Sequence, residues 1–215
     1  MYSITTPEQF ITTPWKNSLG ETTELAINNG GSLTKFDWRL SMAKVTQDGV
    51  FSNFSGYYRQ LILIEGNGIE LSHRNLSALE STSSEPPSPE LILTDKLNNQ
   101  LAMAEFDGGN ATEGKLLDGP IIDFNIITNR DAVTSKVTLV NQSQQLTLSG
   151  TDLLFIYSVC SSAKIDVRAN NQANINAESI MLASGSLFKW QCSEDKSVML
   201  SGEKLIVIQL SVINS

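Results

Sequence analysis

The side chains that could do chemistry in this chain interrupt stretches that otherwise read as β-strands. In Phe36-Asp37-Trp38-Arg39-Leu40-Ser41, Asp37 and Arg39 fall on one strand face and Trp38 and Leu40 on the other. Arg59 opens an apolar run, and Asp123 and Asn125 break up Ile121–Ile127. Polar groups in such settings need partners, because burying an unpaired charge is costly. Two readings stay open from the pattern: a surface strand with a polar outer face, or groups turned into a polar cavity. In a cavity, arginine presents a planar fork suited to a carboxylate. Asp123 or Glu24 could serve as a general base there, with Lys16 as an electrostatic stabiliser.

Counting excludes another chemistry. The chain has one histidine, His73, and two cysteines, Cys160 and Cys192. Zinc, iron or manganese sites usually draw on two or three imidazoles or several thiolates. No metal and no other cofactor is therefore expected. His73 follows the strand Ile69–Leu71 and is expected to face solvent. The two cysteines are read as small buried side chains.

Composition narrows the partners. The 215 residues are 40% hydrophobic and 18% charged, and Lys plus Arg (15) against Asp plus Glu (23) leaves a net charge of −8. An acidic chain without a basic run repels nucleic acid phosphates and anionic membrane surfaces. The start MYSITTPEQFITTPWKN lacks the basic-then-apolar pattern of a signal peptide, and no apolar run has membrane-spanning length. The expected location is cytoplasmic.

The elements that must hold these groups are short strands. Thr6-Pro7 starts at most one helical turn. Strands are predicted at 22–27, 36–45 (with a bulge near Ser41), 59–65, 69–71, 91–93, 101–106 and 121–130. Eight more follow between 136 and 213. Gly66-Asn67-Gly68 is read as a hairpin turn, and 50–58 as a loop of aromatics and serines. Residues 81–89 read as a Ser/Pro-rich loop. No long amphipathic helix appears, and the strand spacing is that of a sandwich or barrel. Similar strand numbers in both halves suggest a duplicated barrel.

Four ordered blocks carry a resemblance. They are Pro14-Trp15-Lys16-Asn17 leading to Gly20, Thr22, Glu24 and Leu25; Phe36 to Ser41 with Ala43 and Val45; Asp48-Gly49 through Phe51, Ser52, Phe54 and Gly56 to Arg59; and Asp118-Gly119-Pro120 through Asp123 and Asn125 to Arg130. Together they resemble the HutD/Ves family of bacterial proteins. The resemblance implies an all-β fold of double cupin-like (bicupin) antiparallel barrels, with halves at about 1–115 and 116–215. The chain departs from the family pattern in Ser18 and Leu19, which replace two glycines, and in Ser55 and Ile127, where proline and methionine are common.

The matched blocks bring Lys16, Arg39, Arg59 and Arg130 together with Asn17, Ser41, Ser52, Asp123 and Asn125, with Trp15 and Phe51 as a wall. The expected function is metal-free binding of a small anionic metabolite, associated through the family with histidine utilisation or a stress response. The alternatives are a metal-independent isomerase or hydrolase on a small acid, or a protein-interaction module using 50–58 or 81–89. A homodimer is compatible with all three. A further reading makes Asp37, Arg39, Arg59 and Asp123 a buried ion network that only maintains the fold.

Overall fold

The computed structural model describes residues 2–16, 19–75, 90–150, 153–169 and 178–213, and these are strands, turns and one helical turn. In chain order the strands are Tyr2–Thr5 (β1), Ile11–Pro14 (β2), Gly20–Ile27 (β3), Trp38–Val45 (β4), Gly49–Val50 (β5), Tyr57–Glu65 (β6) and Ile69–Asn75 (β7). Glu90–Leu97 (β8), Met103–Asp107 (β9), Ala111–Leu116 (β10), Ile121–Asn129 (β11) and Val133–Val140 (β12) follow. The last are Gln144–Leu148 (β13), Leu153–Ser158 (β14), Ala163–Ala169 (β15), Glu178–Leu182 (β16), Leu187–Gln191 (β17), Lys196–Ser201 (β18) and Leu205–Val212 (β19). The helical turn is Pro7–Gln9, a short 3-10 segment in which the Thr6 amide donates to Gln9 Oε1 at 2.8 Å. No helix of the described residues is long and apolar enough to cross a membrane.

The chain divides into two units, Ile11–Asp131 and Met1–Phe10 with Ala132–Ser215. The expected halves at 115/116 shift because β11 lies between β4 and β6, at the centre of the first unit's larger sheet. The first ten residues belong to the second unit because β1 pairs with β17.

In the first unit a six-stranded antiparallel sheet runs β2-β3-β4-β11-β6-β9, and a four-stranded one runs β5-β10-β7-β8. The second unit repeats the plan with β1-β17-β14-β19-β12 and β13-β18-β15-β16. Among the described residues no ladder joins the two sheets of either unit, so each is a pair of sheets rather than the closed barrel expected. Gly66-Asn67-Gly68 does not close a hairpin. It carries the chain from β6 in one sheet to β7 in the other. Both glycines have positive φ (96° and 124°), and a Cβ at Gly66 would stand 2.6 Å from the Pro120 carbonyl.

The imperfect alternation of β4 has a simple cause. Arg39, Ser41, Ala43 and Val45 line one face, while Trp38 and Leu40 are buried on the other. The Trp38 face is buried at Trp38 and Leu40 but opens at Met42 and Lys44, so both faces hold apolar residues only over the first part of the strand. The bulge expected near Ser41 sits on the neighbouring strand: β3 has one extra residue, Leu25, between the partners of Ser41 and Leu40. Inside the first unit, Val45, Leu61, Leu63, Ile69, Leu71, Leu97, Phe106 and Ile121 pack into one apolar cluster. The second unit is filled by Leu154, Ile156, Phe188, Val198, Leu200, Leu205 and Val207 with their neighbours.

Candidate anion-binding site

Register places the arginines. Ile127 of β11 pairs with Arg39 of β4 on one side and Arg59 of β6 on the other, and Arg59 pairs with Phe106 of β9. Arg39, Ile127, Arg59 and Phe106 therefore form one row across the sheet. Two strand spacings separate the arginines, about 10 Å. The next row is Ser41, Asn125 and Leu61, and the next Ala43, Asp123 and Leu63. Alternation points Asp123, Asn125 and Ile127 to the same face.

This face and the loop after β5 enclose a cavity of about 320 Å³ in the first unit. Trp15, Lys16, Arg39, Ser41, Phe51, Ser52, Arg59 and Asn125 line it. The sequence reading missed Thr22 and Gln47 among the other lining residues. Phe51 can lie over β10 because position 114 is glycine: a Cβ there would come within 2.5 Å of Phe51 Cε2. Trp15 is fixed by its indole N–H, which donates to Thr22 Oγ1 at 2.7 Å.

Arg59 is buried, only 4% exposed. Its Nη2 donates to Asn125 Oδ1 at 2.8 Å and its Nη1 to the Ser52 carbonyl at 3.2 Å, so Ser52 contributes its backbone. The guanidinium carbon lies 5.4, 5.5 and 5.1 Å from the ring centroids of Phe51, Phe54 and Phe106. Asn125 in turn donates its amide N–H to Asp123 Oδ1. Among the described residues, Arg59 Nε and Asp123 Oδ2 are buried without a hydrogen-bond partner.

Burial dominates the electrostatics. It pushes Asp123 up to about 7, against the opposing pull of Arg59 and the Asn125 hydrogen bond. It lowers Arg59 to about 10, with Asp123 opposing the shift and Arg39 adding to it. Arg39 is itself paired, its Nε 3.2 Å from Glu24 Oε2.

Other expected residues fall elsewhere. Asp123 belongs to the buried wall behind Asn125 and does not line the cavity. Arg130 is at the surface, 3.0 Å from Asp107 and over the Tyr58 ring. Asp37 is exposed and accepts from Asn28, which removes it from a buried ion network. Asn17 and the 81–89 loop lie outside the described residues. Cys160 is exposed and only Cys192 is buried, both as free thiols.

His73 does not face solvent. β7 continues past Leu71, and His73 shares the inward parity of Ile69 and Leu71, so it is fully buried. Its Nδ1 is 2.9 Å from Thr112 Oγ1 and its Nε2 3.2 Å from Asp95 Oδ2. The ring packs on Phe106, with centroids 4.4 Å apart. Among the described residues, no three His, Cys, Asp or Glu side chains gather as a metal site would need.

Two similar β units, each a pair of antiparallel sheets and one with a cation-lined cavity, define a double cupin-like protein. An oxalate decarboxylase from Lactobacillus farciminis has the same arrangement over 98% of this chain and 88% of its own, with a TM-score of 0.63 at 8% identity. The HutD family model matches residues 7–200, and the chain belongs to the HutD family. HutD from Pseudomonas fluorescens SBW25 is similar over the whole of both chains, with a TM-score of 0.77 and 22% identity. An uncharacterised 21.2 kDa protein of the hutC 3′ region in Pseudomonas putida is 35% identical over 114 residues, 53% of this chain and 51% of that one. Protein Ves of Escherichia fergusonii is 29% identical over 130 residues, 60% and 59% of the two chains. The chain thus spans between half and three-fifths of the length of these curated relatives.

Proposed function

We propose that the cavity of the first unit binds a small anionic metabolite through a carboxylate, without a metal, and that this binding serves control of histidine utilisation or of a stress response. One observation carries the binding: Arg59 is a buried cation on the cavity wall whose hydrogen bonds to the Ser52 carbonyl and Asn125 Oδ1 end on neutral oxygens. Burying a charge costs several kcal/mol unless a counter-charge meets it. The acid that acts on Arg59, Asp123, is raised to about 7 by burial, so near neutral pH it supplies only part of a negative charge. A ligand carboxylate would supply the missing charge, with Arg39 and Lys16 adding to the field and Trp15 and Phe51 packing on an apolar body. The names of the HutD and hutC-region relatives direct the physiological half of the reading toward intermediates of histidine breakdown. A hydrolase or isomerase reading is weaker, because Asp123 does not reach the cavity and Glu24 is paired with Arg39.

The test is a thermal-shift screen of small carboxylates, including histidine-pathway intermediates, with and without a chelator. A ligand well above its dissociation constant raises the melting temperature by mass action. The expected result is a shift with one class of acid, unchanged by chelator and reduced in Lys16→Ala and Arg39→Gln. A shift that both variants retain in full would overturn the assignment.

A further inference from the structure

Sheet edges are open hydrogen-bonding templates, and proteins usually blunt them. In the first unit β5 is only two residues long, β2 ends in Pro14, and β9 exposes Glu105 and Asp107. Among the described residues the remaining edge is β8, and it differs. Leu91, Ile92 and Leu93 stand in succession at 49%, 55% and 46% exposure. Leu93 pairs with His73 and Leu91 with Arg74, so Ile92 is an extra residue that the ladder with β7 does not use. A bulge turns an edge aside, and charges or prolines add to that protection. This one presents three large apolar side chains, with Glu90 before them and Lys96 after them.

That order is self-complementary. Antiparallel pairing of β8 with its own copy about Ile92 sets Ile92 against Ile92 and Leu91 against Leu93. It also brings Glu90 diagonally to Lys96 of the second copy, within reach of long side chains. The two-fold axis repeats both the apolar contact and the opposite-charge contact. We propose that this chain forms a two-fold homodimer through antiparallel pairing of β8, centred on Ile92. The seam runs along a single short strand, the kind of small interface that dissociates on dilution. It is independent of the cavity reading, because the cavity is lined by Gly49 and Val50 of β5, the opposite edge of that sheet.

Sedimentation velocity of the full chain over about a hundredfold concentration range provides the test. The expected result is a mass rising from one chain to two. Ile92→Lys should weaken association by about tenfold or more, by placing like charges on the axis. Lys96→Glu should weaken it and Glu90→Lys with Lys96→Glu should restore it. If Ile92→Lys lowers the melting temperature, this charge-reversal set decides. In a Cys160→Ser background, Ile92→Cys should oxidise to a disulfide-linked dimer and Val212→Cys, at another exposed site, should not. A monomer at every concentration, a dimer indifferent to these changes, or growth beyond two chains would each overturn the proposal.

Discussion

Asp123→Asn isolates the electrostatics behind the cavity. Burial raises this carboxyl from 3.8 to about 7. Three units correspond to about 4 kcal/mol between its protonated and ionised forms. Below pH 3.8 both folded and unfolded chains hold the proton, and the full stability is present. As pH rises toward 7 the unfolded chain releases the proton while the folded one keeps it, so stability falls. Above about pH 7 both are ionised and the contribution is flat. Between about pH 5 and about pH 7 wild type should lose about 2 kcal/mol from this group, and the asparagine variant should lose none. His73 acts in the opposite sense. Burial lowers it, so its contribution is lost as pH falls below its unfolded value of 6.5, but both proteins carry it and the difference cancels. The assay is urea unfolding across that range, followed by the fluorescence of Trp15 and Trp38 in the first unit. Effects of the substitution that do not titrate shift the variant by a constant, so the slope is the readout. Parallel pH profiles for the two proteins would refute the buried-carboxyl reasoning.

Gly114→Ala should force Phe51 and Ile69 aside, since its Cβ would lie 2.5 and 2.9 Å from their ring and methyl carbons. A loss of about 1–3 kcal/mol in urea unfolding is expected, with weaker carboxylate binding in titration; unchanged values for both would mean that Phe51 does not form the cavity wall described. The exposed thiol of Cys160 should react with a thiol reagent in the native state and Cys192 only on unfolding. Two thiols titrating together in the folded protein would contradict this assignment.

Local pattern made most strands legible, because turns rich in Gly, Asn and Asp separate apolar runs. It failed where pairing partners are distant. Tyr2–Thr5 has no turn signal of its own and becomes a strand only through β17. Ala111–Leu116 was missed because Gly114 removes an inward side chain from its alternation, and that gap is what admits Phe51. Gly66-Asn67-Gly68 was legible as a turn, but the sheet that it leads into depends on long-range pairing. At the site, Arg39, Arg59 and Asn125 were legible as polar groups inside apolar strands. Phe106 was not, since only its register with Arg59 brings the ring to the guanidinium. His73 could have been read as buried by extending the parity of Ile69 and Leu71 two residues further.

Calorimetric titration of a carboxylate found by the thermal screen, against its primary amide, tests the central claim most directly. Wild type should bind the acid and not the amide. Arg59→Lys should weaken binding by about tenfold or more, because an ammonium keeps the charge but loses the fork. Equal binding of acid and amide, or an affinity that Arg59→Lys leaves unchanged, would contradict the assignment of Arg59 as the anion anchor.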